Sequence, residues 1–204
     1  MPAGAERYYR AMVGAGPESW NIRDRHMDET LDALLHHHGP DAKAVVWEHN
    51  THIGDARATD MAAAGMVNLG QLARERCGRE AVVLVGFGSH RGSVIAGRSW
   101  GAPMETMTVP RAQAGSWEDV LHRSLDGDAL LLTDRLLEAA ARPRGQRAIG
   151  VVYDPGAERY GNYVPTRLPE RYDALVHLDQ TQALHPLHVE PREAGPPATY
   201  PWGL

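Results

Sequence analysis

The sequence predicts an α/β fold, an open and mainly parallel sheet flanked by helices. Three observations predict it. Short apolar runs at residues 44–47, 81–85, 148–153 and 174–178 read as buried strands, and the segments between them carry helical spacing. Polar, glycine-containing segments follow the first two runs, where the loops of such a sheet lie. No internal repeat or low-complexity tract suggests another architecture.

Taken in order, residues 5–13 read as a helix with Tyr8 and Tyr9 partly buried. Asn21, with Asp24 three positions on, reads as the cap of a second helix. That helix sets Met27, Leu31, Leu34 and Leu35 on one face and ends before Gly39-Pro40. Residues 44–47 then form a strand, with the loop from His49 to Asp55 at its C-terminal end. A helical region follows, running to Arg76 and stopping at Gly78. Residues 81–85 and 93–96 read as strands, and Ser116 with Asp119 as a capping box for a helix through Leu121 and His122. Residues 133–141 read as a helix rich in leucine and alanine, before the strands at 148–153 and 174–178. From Glu190 onward, prolines and glycines suggest a loose tail.

Composition narrows the function classes. With 204 residues, the chain is long enough to bury a core. Its 21 basic and 26 acidic side chains give a net charge of -5, which argues against nucleic acid and anionic membranes as partners. The single cysteine, Cys77, excludes an internal disulfide and any zinc site needing two thiolates. No run approaches the roughly 20 apolar residues of a membrane span, and the N-terminus lacks the apolar core of a signal peptide. A cytoplasmic location is expected. Lys43 is the only lysine, which leaves little room for Schiff-base chemistry, whereas the 11 histidines supply acid-base and ligand groups.

The most informative segment is Val45-Val46-Trp47-Glu48-His49-Asn50-Thr51-His52. Loops at the carboxyl ends of strands line the ligand crevice of open α/β sheets, so two imidazoles there point to chemistry. Three residues apart, the rings could converge on one water or substrate oxygen, one as base and the other as donor. They could equally ligate a metal with Asp55 or Glu48 as a third ligand, although no cofactor is the favoured expectation. Gly86-Phe87-Gly88-Ser89-His90-Arg91-Gly92 reads either as a ligand-facing loop or as a turn between strands. His36-His37-His38 suits the negative end of a helix dipole, and its three rings diverge too far to share a metal. Gly97-Arg98-Ser99-Trp100-Gly101 matches the letters of a nucleophile elbow but is followed by Ala102-Pro103 instead of a helix. In Arg23-Asp24-Arg25-His26, Asp24 suits a helix start, and an inward arginine could bind a carboxylate.

With these residues in place, the sequence resembles the erythromycin esterase family, whose members are similar to macrolide-inactivating esterases and to succinoglycan biosynthesis-type proteins. The match is carried by Asn21-Ile22-Arg23-Asp24, the segment 45–52, Asn68-Leu69-Gly70, the segment 87–94 and Trp100-Gly101-Ala102-Pro103. Gly115-Ser116-Trp117-Glu118, Gly150-Val151-Val152-Tyr153, the segment 161–165 and the segment 172–179 complete it. The resemblance implies an α/β fold with a deep cleft and hydrolysis by histidine-activated water. Family members carry a Gly-Glu-x-x-His segment near their N-terminus that has no counterpart here. The chain therefore resembles a C-terminal portion over residues 1–190, partial relative to the full fold, with a loose tail at 191–204.

The expected function is that of an esterase-like hydrolase acting on an ester or macrolactone, inactive alone if the other half of its cleft is needed. The alternative is a non-catalytic fragment or small-ligand binding module. His49 and His52 are the expected catalytic residues. Arg23, Asp24, Glu48, Asn50, Ser89, His90 and Arg91 are the expected substrate-binding residues. A small-molecule ester is the expected partner, together with a chain supplying the missing half or a second copy. A truncated sheet would leave an apolar edge prone to self-association.

Overall fold

The computed structural model describes residues 17–136 and 142–185. The helix expected at 5–13 and the tail at 191–204 lie outside them, as does most of the helix expected at 133–141, of which a single 3-10 turn, Thr133–Arg135, is described.

The chain enters α1 (Pro17–His38), passes a short α2 (Asn50–Ile53) and a 3-10 turn (Ala56–Ala58), and continues into α3 (Leu69–Cys77). Strands β1 (Val85–Ala96) and β2 (Glu105–Val109) precede α4 (Trp117–Ser124) and β3 (Ala129–Leu132). Then come β4 (Arg144–Arg147), α5 (Glu158–Gly161), β5 (Tyr163–Thr166), α6 (Leu168–Arg171) and β6 (Ala174–Thr181). No helix among the described residues is long and apolar enough to cross a membrane.

The main sheet has the order β2-β1-β6-β3. The α/β class is as expected, but the strand directions correct the sequence reading. Only β1 and β6 run parallel, while β1 with β2 and β3 with β6 are antiparallel, as is the separate pair β4 with β5. The physical reason is connection length. The eight-residue link from β1 to β2 is too short for the crossover that a parallel neighbour needs, whereas the long path from β1 to β6 accommodates one.

Several elements also differ from expectation. Residues 86–92 form neither a loop nor a turn: they lie inside the 12-residue strand β1. Glycine is needed there for close packing, since a Cβ at Gly86 would sit 2.8 Å from the Tyr172 ring. Residues 44–47 have no strand partner among the described residues, and Val45 and Trp47 are 96% and 83% exposed. Residues 148–153 contribute one bridge, Gly97 with Val152, in place of a strand. Asn21 lies inside α1 and does not cap it. Its side chain instead accepts from Val67 N at 2.9 Å and donates to Gly65 O at 2.9 Å, pinning the loop before α3 onto α1.

Other local signals were read correctly. Ser116 caps α4 by accepting from Asp119 N, and Gly78 ends α3 with a φ of +83°. His36, His37 and His38 occupy the last turn of α1 and are exposed.

Register decides which face of the sheet is buried. Gly86, Leu175 and Leu131 align in one row. On that face Leu175 packs with Trp117, Leu121, Tyr172, Leu168 and Leu84 as the principal core. The adjacent row, Phe87, Val176 and Leu130, points the other way, and Phe87, Leu130, Leu132 and Val85 are exposed there. The sheet is thus apolar on both faces and covered by α4 on one.

Candidate functional site

The site is assembled where the N-terminus of α2 meets α1 and the outer face of β1. Asn68 ties the loop to α3: its Nδ2 donates to Thr51 O at 2.7 Å and to Gly54 O, while its Oδ1 accepts from Gln71 N at 3.0 Å. α3 approaches so closely that a Cβ at Gly70 would lie 2.0 Å from the Ile53 carbonyl oxygen. Arg171, fully buried, holds the loop from behind, donating to Asn50 O at 3.2 Å, Thr166 Oγ1 at 2.8 Å and Gln146 Oε1 at 3.0 Å.

His49 caps α2 and is half-buried. Its Nε2 lies 2.7 Å from the carbonyl oxygen of Ile149, which only an N–H can satisfy, so Nε2 carries the proton. Nδ1 then accepts from the Thr51 hydroxyl at 2.8 Å and the Thr51 amide at 3.3 Å. Burial holds the His49 pKa below its ordinary value, the bond to Ile149 works against that, and His52 and Arg171 push it further down. The ring is neutral at pH 7, with both nitrogens engaged.

His52 faces elsewhere. Its Nδ1 lies 2.9 and 3.0 Å from the two carboxylate oxygens of Asp24, which is completely buried in α1. Nε2 lies 2.9 Å from Arg23 Nη2, which can only donate, so Nε2 holds the lone pair and Nδ1–H donates to Asp24. Trp20 stacks on the imidazole with centroids 4.4 Å apart and planes 4° from parallel. The Arg23 guanidinium lies 4.8 Å over the same indole. Leu69 N adds a 3.1 Å bond to Asp24, so the carboxylate is also anchored by the start of α3.

The two histidines therefore do not converge on a shared water or substrate oxygen. One turns to Ile149 and the other to Asp24, because residues remote in sequence supply their partners. The alternative metal set is not assembled either. Asp55 is taken by Arg57 at 2.7 Å and Arg74 at 3.2 Å, and Glu48 is exposed. Among the described residues no three His, Cys, Asp or Glu side chains are placed to hold a metal.

A cleft of about 1200 Å³ opens on the His49 side, bordered by Trp47, His49, Asn50, Phe87, Ser89 and Ile149. Glu48 and Ser89 are among the residues that border it. The Asn50 amide does not reach into it freely, because its two ends pair with the N–H and the carbonyl of Phe87 like a rung of the sheet. His90 is not at the cleft: it is buried on the α4 side of the sheet, as strand alternation from Ser89 requires. Arg91 is half-buried in β1 and does not border the cleft.

Sequence reasoning missed Trp20, Arg147 and Arg171. Arg147 borders the cleft and binds the carbonyls of Ser89 at 2.7 Å, His90 at 3.0 Å and Pro110 at 2.8 Å, as well as Glu158 at 2.9 Å. An arginine inside a strand, such as Arg147, was the available signal.

The model of the family described as erythromycin esterase matches residues 1–181. The chain belongs to the erythromycin esterase family. Its fold is similar to that of a succinoglycan biosynthesis protein solved by crystallography, with a TM-score of 0.65 and 22% identity over 81% of this chain and 40% of that one. A Bacillus cereus protein gives a TM-score of 0.67 at 15% identity over 81% of this chain and 40% of that one. A mutant of the erythromycin esterase EreC in its open conformation gives 0.59 at 22% identity, over 85% of this chain and 41% of that one. This erythromycin esterase family chain thus spans about 40% of the length of the solved structures it resembles.

Proposed function

We propose that this chain carries the base histidine of an esterase-type hydrolase acting on an ester or macrolactone. One observation carries the reading: buried Asp24 holds His52 with Nδ1 protonated, so that its lone pair is on Nε2, facing Arg23. A carboxylate that fixes the tautomer and steadies the imidazolium is what a general base requires.

In this reading Arg23, whose side chain is partly exposed, swings from Nε2 when substrate enters. His52 then takes a proton from water, the water oxygen attacks the ester carbonyl, and the guanidinium binds the oxyanion. Collapse re-forms the carbonyl and breaks the bond from the acyl carbon to the ester oxygen, and the imidazolium gives its proton to the leaving alkoxide. His49 shapes the cleft as a neutral ring. The rest of the cleft comes from a polypeptide covering the exposed apolar face of the sheet, since the similar structures are far longer than this chain.

A second reading, a module that binds an apolar ester without turnover, draws support from the same geometry, because every nitrogen of His49 and His52 has a protein partner. Hydrolysis of a panel of aryl esters and macrolactones, with binding measured in parallel, separates the two. The hydrolase reading expects turnover that falls at least about 100-fold in His52→Gln and much less in His49→Gln. Turnover indifferent to His52→Gln overturns it, and binding with no turnover even with the polypeptide that completes the cleft present supports the module.

A further inference from the structure

On the sheet face away from the cleft, three histidines gather that the hydrolase reading does not use. Gly88 of β1 pairs with His177 of β6, and strand alternation puts His90 on the same face as His177 and Leu175, beneath α4. His177 is fully buried and His90 is 3% exposed. Among the described residues, neither ring nitrogen of either residue has a hydrogen-bond partner. From the last turn of α4, His122 lays its ring flat on His90, with centroids 3.7 Å apart and planes 6° from parallel. The Nδ1 of His122 is bonded to the Asp179 carboxylate on β6.

We propose that His90, His122 and His177 form an acid-sensitive latch between α4 and the sheet, closed when the two buried rings are neutral and released when they gain protons. Charging either ring in place leaves a buried cation with no acceptor among the described residues, and a charged His90 also faces the stacked His122. Opening α4 lets water solvate both rings.

The neighbouring charges do not cancel this. Facing His90 are His122, Glu118 and Asp119 from α4, Asp179 from β6, Arg147 from β4 and Arg91 from its own strand. The two arginines and His122 oppose a proton there, and Asp179 favours one. Around His177, Asp179 and Asp128 favour a proton and His122 opposes it. Burial is the largest influence on both rings and holds both below the ordinary histidine value. Glu118, the buried carboxyl of α4, is pushed up to about 7 by burial, so it supplies no counter-charge once protonated but favours the closed form as pH falls, opposing the two rings.

Hydrogen exchange of the whole chain at pH 7.5, 6.5 and 5.5, corrected for the intrinsic rate, tests the latch whatever the catalytic activity. In a Glu118→Gln background, which removes the carboxyl that pulls the other way, amides of α4 should open about fivefold more for each ring, hence roughly thirtyfold for the two, from pH 6.5 to 5.5. Amides of α1 should change less. His90→Phe with His177→Phe should flatten the response. Should that variant not fold, the ring-proton resonances of the unaltered protein give the same answer, because His90 and His177 should stay neutral while α4 is closed. Equal α4 protection at pH 7.5 and 5.5 in the Glu118→Gln chain, or two rings titrating near 6.5 with α4 still closed, overturns the proposal.

Discussion

Asp24 and His52 are joined through a bifurcated contact, with one imidazole nitrogen within 3.0 Å of both oxygens of a carboxylate that has no exposed surface. Asp24 also binds the first amide of α3, so a single side chain orients the histidine and docks two helices. Asp24→Asn should cost about 3 kcal/mol, as expected when one partner of a buried pair is neutralised. Urea unfolding of Asp24→Asn, His52→Gln and the double variant should show a coupling of about 1–3 kcal/mol. Simple additivity of the two losses would remove the pair from the account.

Arg23 covers the only lone pair of His52. Its replacement by methionine keeps much of the packing on Trp20 while freeing Nε2. Diethyl pyrocarbonate should then acylate His52 several-fold faster than in the unaltered chain, as read by peptide mass spectrometry. An unchanged rate with an intact fold means that something other than Arg23 shields the ring.

Glu118 gives the protein a pH dependence opposite in sign to that of the latch histidines. Burial raises its pKa from 4.5 to about 7, so between those values the folded state binds more protons than the unfolded one. Stability from this group is fully present below pH 4.5 and lost as pH rises through 7, a fall of about 3 kcal/mol. Glu118→Gln keeps an oxygen for Arg147 N and removes the charge, so it should flatten this fall and stabilise the chain at pH 8. The check is thermal melting from pH 5 to 8, and a variant as pH-sensitive as the parent in that window contradicts the assignment.

The uncovered sheet face should make the chain self-associate. Phe87, Leu130 and Leu132 are exposed on it, and Val45 and Trp47 stand out from the neighbouring unpaired segment. Sedimentation velocity should show concentration-dependent assembly that Trp47→Asp with Leu130→Asp reduces. A monodisperse, cooperatively melting monomer at high concentration would exclude it.

Part of this was legible in the residues. The segment 45–52 and Asn68-Leu69-Gly70 carried the family resemblance, and the family match bears it out. Ser116 announced α4 and Gly78 the end of α3, because caps are made by neighbours within a turn. The strand expected at 44–47 has no pairing partner among the described residues, and a strand exists only through its partner. Glycines 86, 88 and 92 looked like loop residues for a comparable reason, since the Tyr172 ring that requires Gly86 stands far along the chain.

By itself the sequence determined the family, the α/β class, the caps at Ser116 and Gly78 and the presence of two imidazoles in one short segment. Tertiary structure decided what each imidazole is. His49 takes its partner from Ile149, 100 residues away, and His52 from Asp24, 28 residues away, and those contacts fix which nitrogen keeps the proton. A hydrogen bond acts over about 3 Å of space whatever the separation along the chain, so only the fold could assign the lone pair.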